Sequence, residues 1–354
     1  MTSLSTLWPA IERSARDAGA IGVGATPLGD GHAGEFEDWL ARGLEGSMLY
    51  LRKNLAVRRD PHGRFPWARS AVAVAVPYEP ERPAAPPGSI ARHLARYALG
   101  DDYHEVLDSI LRGLEAVIHG SVPDARSRRY VDTGPLSDRS IAAAAGLGWI
   151  GRNGMLIDPD HGSYFFIGVL LTSLELDLEP AEVADRCGSC TRCIDACPTE
   201  AILPGRLVDA NLCISHATIE QRGAISEAVR DRLEGNLFGC DVCQEVCPWN
   251  ESAPPGNSAF RARERYGATP VTDLLRISQS DFSSLFRKSA IKRARRGGMM
   301  RNAVLVTAEI EPATLASLRE DPDPGVRDAA EWRERAGGDR RSRGGAGESR
   351  DLDD

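Results

Sequence analysis

All eight cysteines of this 354-residue chain fall between Cys187 and Cys247. That confinement commits one short stretch to a thiol-linked module, whatever the rest of the chain does. The first run, Cys187-x2-Cys190-x2-Cys193-x3-Cys197-Pro198, has the spacing of bacterial ferredoxins, in which a tight loop turns three thiolates toward one iron–sulfur cube. In two-cluster ferredoxins the fourth cysteine of the run ligates the other cube. The second run, Cys240-x2-Cys243-x3-Cys247-Pro248, is one cysteine short, and Cys213 stands alone between the two. Crossing the fourth cysteines closes the count. Cys187, Cys190, Cys193 and Cys247 then hold one [4Fe–4S] cluster, and Cys197, Cys213, Cys240 and Cys243 hold the other. The rival reading is a pair of four-cysteine zinc knots. Zinc ribbons call for neither a third cysteine two residues after a C-x2-C nor Cys-Pro at the end of both runs.

The chain is too long for a lone electron carrier and long enough for two or three domains. Clusters saturated by cysteine leave no position for substrate, so they are expected to feed single electrons to a reducing centre elsewhere in the protein. A net charge of −8 gives no overall attraction to phosphate. The first twenty residues include Glu12 and Asp17 and lack a continuous apolar core, unlike a signal peptide. The longest apolar runs, Ala71–Val76 and Tyr164–Leu171, are far short of a membrane span. A soluble cytoplasmic protein, probing no membrane and working as a monomer, is expected, and in that compartment thiolate ligands outnumber disulfides.

Before residue 176 strand-like runs alternate with helical ones, which reads as an α/β domain over 1–175. Strands are expected at Ile21–Ala25, Ala71–Pro77, Arg129–Asp132, Gly154–Ile157 and Tyr164–Leu171. The clearest helix follows Asp101, where Tyr103, Val106, Leu107, Ile110, Leu111, Leu114, Val117 and Ile118 form one apolar stripe, capped by Asp101 or Asp102. A ferredoxin-like module occupies 176–255. Helices are expected at Asp273–Ile277, Ile291–Ile310 and Ala313–Arg335, with a HEAT-like turn-then-helix from Asp321 inside the region 256–335. The tail, 336–354, is rich in Gly, Arg and Asp and is expected to be disordered.

No dinucleotide fingerprint follows a strand. Asp132, at the end of a short apolar strand and before Thr-Gly-Pro, can be read either as a carboxylate projecting into a crevice or as an ordinary turn residue.

Several strings resemble the epoxyqueuosine reductase family. They are Ala95-Arg-Tyr-Ala-Leu-Gly-Asp-Asp-Tyr-His104, Val131-Asp-Thr-Gly-Pro135, Ala145-Gly-Leu-Gly-Trp-Ile-Gly-Arg-Asn153, Gly162-Ser-Tyr-Phe-Phe166, Cys213-Ile-Ser-His-Ala-Thr-Ile-Glu220 and Phe238-Gly-Cys-Asp-Val-Cys-Gln-Glu-Val-Cys-Pro-Trp-Asn250. They occur in the family's order over roughly the first two-thirds of the chain. The resemblance implies an oxidoreductase that removes the epoxide oxygen of epoxyqueuosine at the tRNA wobble position, with base-off cobalamin in the N-terminal domain. The reductive dehalogenases combine the same cofactors. Carried over residue by residue, it makes Asp132 the proton donor and places Arg58, Tyr97, Trp149, Arg152, Asn153 and Ser163 in the cofactor pocket. Glu220 and Asp241 would approach from the cluster side. Two positions depart from the family pattern: Arg152 stands where Lys is usual and His216 where Tyr is usual. The first exchanges a point charge for a planar fork.

The stretch Arg287–Arg296 contains no acid. Such a run is ordinarily a solvated helix face. With a tRNA substrate implied, Lys292, Arg293, Arg295 and Arg296 become candidates for phosphate contact, and Arg126, Arg128 and Arg129 form a smaller patch. An external low-potential electron donor is also implied. The rival functions are a cobalamin-dependent reductase of a small molecule and a pure electron-transfer module.

Overall fold

The computed structural model describes residues 3–29, 33–79, 81–177, 183–251 and 253–343. Its main sheet has four strands, β1 (Gly22–Pro27), β2 (Ser70–Pro77), β3 (Ser127–Tyr130) and β4 (Phe165–Thr172), in the order β1-β2-β4-β3. The segment expected as a strand near residue 154 is a two-residue strand, Leu156–Ile157, paired with Trp149–Ile150. Helix and strand are mixed as expected, but every pair in the main sheet is antiparallel. Asp132 therefore does not project from the carboxyl edge of a parallel sheet. Continuous apolar runs report burial on both faces, and an antiparallel sheet covered on both sides by helices produces the same signal.

Alternation along β2 sorts its two faces. Val72, Val74 and Val76 enter the core shared with α1 (Leu4–Asp17) and α2 (Tyr103–Ser121), whereas Ala71, Ala73 and Ala75 face α3 (Asp138–Ala144). Small residues on that second face let the chain after α3 lie close. A Cβ added at Gly24 would stand 1.9 Å from the Ala145 carbonyl oxygen. Helix α2 buries Leu107, Ile110, Leu111, Leu114 and Ile118, and the Asp102 side chain accepts from the His104 amide at its start. One of the helix's orphan donors is thereby satisfied.

A second core draws on distant parts of the chain. Ile90, Leu94 and Leu99 pack with Ile214, Leu237 and Phe238, and with Tyr266, Phe286, Met299 and Val304. The region from 256 onward is helical, but with breaks. A 3-10 turn at Ala290–Ala294 precedes α5 (Arg295–Val306), and Arg295 at a φ of 61° marks the break inside what the sequence presents as one helix. The expected helix from 313 to 335 is likewise two, α6 (Pro312–Leu318) and α7 (Pro324–Arg343). The Asp321-Pro-Asp-Pro turn separates them, with Asp321 Oδ1 accepting from the Asp323 amide at 2.9 Å. Helix α7 continues to Arg343, which corrects the expectation of disorder from 336. Extending a helix already nucleated on a packed turn fixes one residue per hydrogen bond, so polar composition alone does not stop it. Residues 344–354 of the expected tail lie outside the described residues. No helix among the described residues is long and apolar enough to cross a membrane.

Polar contacts lock α5 to the helix α4 (Ile214–Ile219) that follows Cys213. Arg301 is 2% exposed and donates to the carbonyls of Ala217 (2.8 Å), Gln221 (2.9 Å) and Gly223 (2.7 Å). Asn302 donates to Thr218 O (2.9 Å) and Leu237 O (2.8 Å). Burial pulls the Arg301 guanidinium down to about 10, which leaves it charged at neutral pH. Replacing Arg301 by Met strands the buried Ala217 carbonyl, at a cost of about 1–3 kcal/mol, and two part-buried carbonyls besides. Thermal denaturation of the anaerobically prepared variant is expected to show Tm lowered by about 5 °C or more. An unchanged Tm would mean that the carbonyls find other donors.

Candidate functional site

Each cysteine run folds as a turn followed by one turn of helix, Arg192–Asp195 in the first and Val242–Glu245 in the second, and each helix is stopped within a few residues by Pro198 or Pro248. Cys187, Cys190, Cys193 and Cys247 line one cavity. Around a second centre, Cys213 and Cys240 feel the charge of Cys197, and Cys243 feels Cys240 and Cys213. Burial pushes the Cys240 thiol up to about 12 and raises Cys213 and Cys243 as well. Thiols held in this way become thiolates by binding a cation. Among the described residues no three His, Cys, Asp or Glu side chains converge tightly enough for a single ion. The sulfurs instead stand around a space. Trp149 donates its indole N–H to Cys187 Sγ (3.4 Å) and meets Trp249 edge-on at 5.0 Å.

Asp132 sits just beyond β3 at a φ of 55°, and the Thr133 amide donates to Val131 O at 2.5 Å. That bond closes a γ-turn of the positive-φ kind, a rare and strained backbone form in a residue other than glycine. Two side chains hold it. Asp138 Oδ2 accepts the Asp132 amide at 2.9 Å, and the Tyr103 hydroxyl donates to Asp132 Oδ2 at 2.7 Å. Tyr103 stacks on Phe166, with ring centroids 4.5 Å apart, and burial with the Asp132 charge raises its phenol far above the ordinary range. Arg58 grips the far end of the same loop through Leu136 O (2.5 Å) and Ser137 Oγ (2.9 Å), and its Nε is buried with no partner. Burial is the main cause that lowers its pKa.

Facing this loop is the end of α4. Tyr97 is half-buried and near enough to Asp132, Asp241 and Glu220 to feel the charge of each. Tyr50, 43% exposed, feels Glu220, Arg293 and Asp132, and its neighbour Leu49 is 61% exposed. These are the exposed large hydrophobic side chains among the described residues.

Comparison with known proteins adds independent findings. Residues 186–250 match the 4Fe-4S double cluster binding domain, and residues 58–133 match epoxyqueuosine reductase QueG, DUF1730. An epoxyqueuosine reductase of Synechocystis sp. is 38% identical over 278 residues, covering 77% of this chain and 94% of that one. One from Pseudomonas aeruginosa is 33% identical over 324 residues, covering 88% and 89%. The chain belongs to the epoxyqueuosine reductase family. A crystal structure of epoxyqueuosine reductase with a tRNA-Tyr epoxyqueuosine-modified stem loop superimposes with a TM-score of 0.82 at 30% identity, covering 93% of this chain and 89% of that one. Another, from Bacillus subtilis, has its catalytic loop swung out of the active site and gives 0.81 at 28% identity.

As a member of the epoxyqueuosine reductase family with a double-cluster domain, the chain is an oxidoreductase that carries iron–sulfur clusters. Its other expected site residues separate into groups. Arg152 and Asn153 line the first cysteine cavity, where Arg152 donates to Gly188 O at 2.7 Å. Ser163 is buried among Asn250 and Gln244, its amide donating to Asn250 Oδ1 at 2.6 Å. Asp241 is buried and accepts from the Arg96 amide (2.9 Å) and Nη1 (3.0 Å), burial being the first cause that raises its pKa. His216 accepts the Ser47 amide at 3.1 Å through Nε2, which places its proton on Nδ1, and burial lowers its pKa. A Cβ at Gly46 would stand 2.6 Å from the His216 ring, so this exchange for Tyr is matched by close packing under the segment that carries Tyr50. Sequence reading passed over Tyr103, counted there as one position of the apolar stripe of α2, and gave Asp138 no role. An available signal was the pair of acids flanking one Gly-Pro turn.

The basic segment is not uniform. Lys292, Arg293 and Arg295 are exposed. Arg293 makes a two-pronged contact with Glu220 (both 2.8 Å) and lies over Tyr50 at 5.4 Å. Arg296 is held by Asp321 (2.7 and 3.0 Å) with both side chains 15% exposed or less, which corrects its reading as a surface cation. The missing acid comes from the turn twenty-five residues onward. In the smaller patch Arg129 is tied to Asp108 (2.8 Å) and Glu115, while Arg126 lies over Trp67 and Arg128 over Tyr130. Arg296→Ala is expected to lower Tm by several degrees because a half-buried Asp321 loses its partner. Lys292→Ala and Arg295→Ala should change stability by no more than about 0.5 kcal/mol. Equal losses in all three would contradict this division.

Proposed function

We propose that this chain reduces epoxyqueuosine to queuosine at the wobble position of tRNA. The observation that carries the reading is the likeness, over 93% of the chain, to an epoxyqueuosine reductase bound to an epoxyqueuosine-modified stem loop. Loss of the epoxide oxygen as water consumes two electrons and two protons. On this reading Cys187, Cys190, Cys193 and Cys247 ligate one [4Fe–4S] cluster, and Cys197, Cys213, Cys240 and Cys243 the other. An external low-potential donor fills them. Residues 1–175 form the cobalamin-binding catalytic domain, 176–255 the ferredoxin-like domain, and 256–335 a HEAT-like region that meets tRNA through Lys292, Arg293 and Arg295.

The residues around Asp132 fit a large ligand with an apolar face and a polar rim. Leu49 and Tyr50 offer apolar surface, and the buried Arg58 Nε still lacks an acceptor. Arg58, Tyr97 and Glu220 would hold cobalamin there, with Asp241 buried behind Tyr97. Cobalamin, when bound, supplies the strongly reducing centre for breaking the carbon–oxygen bond. Trp149 and Arg152 serve the first cluster, and Ser163 with Asn153 fixes the loop that carries it. Asp132 delivers a proton to the departing oxygen, and Tyr103 fixes the rotamer from which it does so.

Cys247→Ser is expected to perturb the same reduced-cluster signal as Cys187→Ser in low-temperature magnetic resonance of anaerobic protein. A match to Cys240→Ser instead would undo the crossed assignment. Asp132→Asn keeps the size and most hydrogen bonds of the acid but cannot give a carboxylic proton. Single turnover from fully reduced holoenzyme with tRNA already bound should be slower by ~10²–10⁴, with clusters and cobalamin retained. Near-normal turnover would assign the proton to another group.

A further inference from the structure

The loop between β3 and α3 carries a second carboxyl that the proposed chemistry does not use. Asp138, the first residue of α3, turns back and accepts the Asp132 amide through Oδ2, while its Oδ1 is buried with no hydrogen-bond partner. A bare buried oxygen is costly on an ionised carboxylate and less so on a protonated one. Arg58 and Arg139 pull the Asp138 carboxyl down, but less than burial and the Asp132 charge push it up, and their hydrogen bonds go elsewhere. Arg58 donates to Leu136 O and Ser137 Oγ, and Arg139 donates to Gly154 O at 2.7 Å. The remaining charged neighbour is Asp132, itself bonded to Tyr103. The backbone that Asp138 holds is the strained γ-turn, which has no glycine to relieve it.

We propose that Asp138 is a positioning residue for Asp132, clamping the strained turn that carries the acid. This rests on the reading of Asp132 as proton donor. Burial first, and the Asp132 charge second, push the Asp138 carboxyl up to about 7. Asp138 is therefore neutral below that pH and gains its charge as pH rises through it. A neutral Asp138 still accepts the Asp132 amide through Oδ2, so the clamp survives in both states.

Asp138→Asn preserves an oxygen for the Asp132 amide and removes the charge, whereas Asp138→Ala removes both. In the holoprotein, amide exchange over Val131–Leu136 should speed up in the Ala variant and stay as in the parent for Asn. Infrared titration should show a protonated carboxyl that disappears near pH 7 in the parent and is missing from both variants. In single turnover on epoxyqueuosine-containing tRNA, Asp138→Ala should be slower than Asp138→Asn by about tenfold or more, because only the first frees the turn that positions Asp132. Unchanged exchange in Asp138→Ala would overturn the clamp. A carboxyl that still titrates near pH 7 in Asp138→Asn would assign that proton to another group and overturn the neutral Asp138. Failure of the parent to turn over would instead count against the proposed function, with exchange and infrared titration still deciding the role of Asp138.

Discussion

Cys247 can share a cavity with Cys187, Cys190 and Cys193 only if the second cysteine run is folded back onto the first, and much of the structure serves that return. The corner after Cys247 is clamped by the loop that leads into β4. Ser163 donates its amide to Asn250 Oδ1, Gln244 donates to Ser163 O at 3.0 Å, and a Cβ at Gly162 would stand 2.2 Å from Asn250 Oδ1. Trp149 closes the cavity through its contacts with Cys187 and Trp249. From the other side Arg301 and Asn302 fasten the helix after Cys213. The cysteines are thus fixed by three distant parts of the chain, and the cysteine-bearing region is wedged between the sheet and the helical region.

Such wedging places the acid loop opposite the clusters. Tyr97 is near enough to feel both Asp132 and Asp241, the neighbour of Cys240 in the chain, so one aromatic side chain is shared by the acid loop and the second cysteine run. The acid loop stores strain where function is proposed, and its bonds come from three elements: Tyr103 on α2, Asp138 on α3 and Arg58 on the helix Leu55–Arg59. Strain of this kind, on the order of 1–3 kcal/mol, persists only where neighbours over-determine it.

The basic segment shows how a partner far along the chain changes the meaning of a residue. Arg293, Arg296 and Arg301 look alike in an acid-free run. Folding gives the first to Glu220, the second to Asp321 and the third to backbone carbonyls in the core. Local charge density could not separate them, because the acids that claim two of them lie 73 and 25 residues away.

Sequence by itself determined what depends on short spacing. The cysteine runs, the strands at β1, β2 and β4, the capped stripe of α2 and the family all follow from residues close together in the chain, where a fixed local geometry repeats a readable pattern. It also singled out Asp132, through a string rather than through chemistry. The tertiary structure alone decided what depends on long-range approach. It made the sheet antiparallel, carried α7 to Arg343, gathered the cysteines across the two runs and turned Tyr103 and Asp138 onto Asp132. The physical reason is that an isolated stripe or acid has the same local pattern whether it meets solvent, a carbonyl or another carboxyl. Only packing selects which of these it meets, and with it the charge the residue bears.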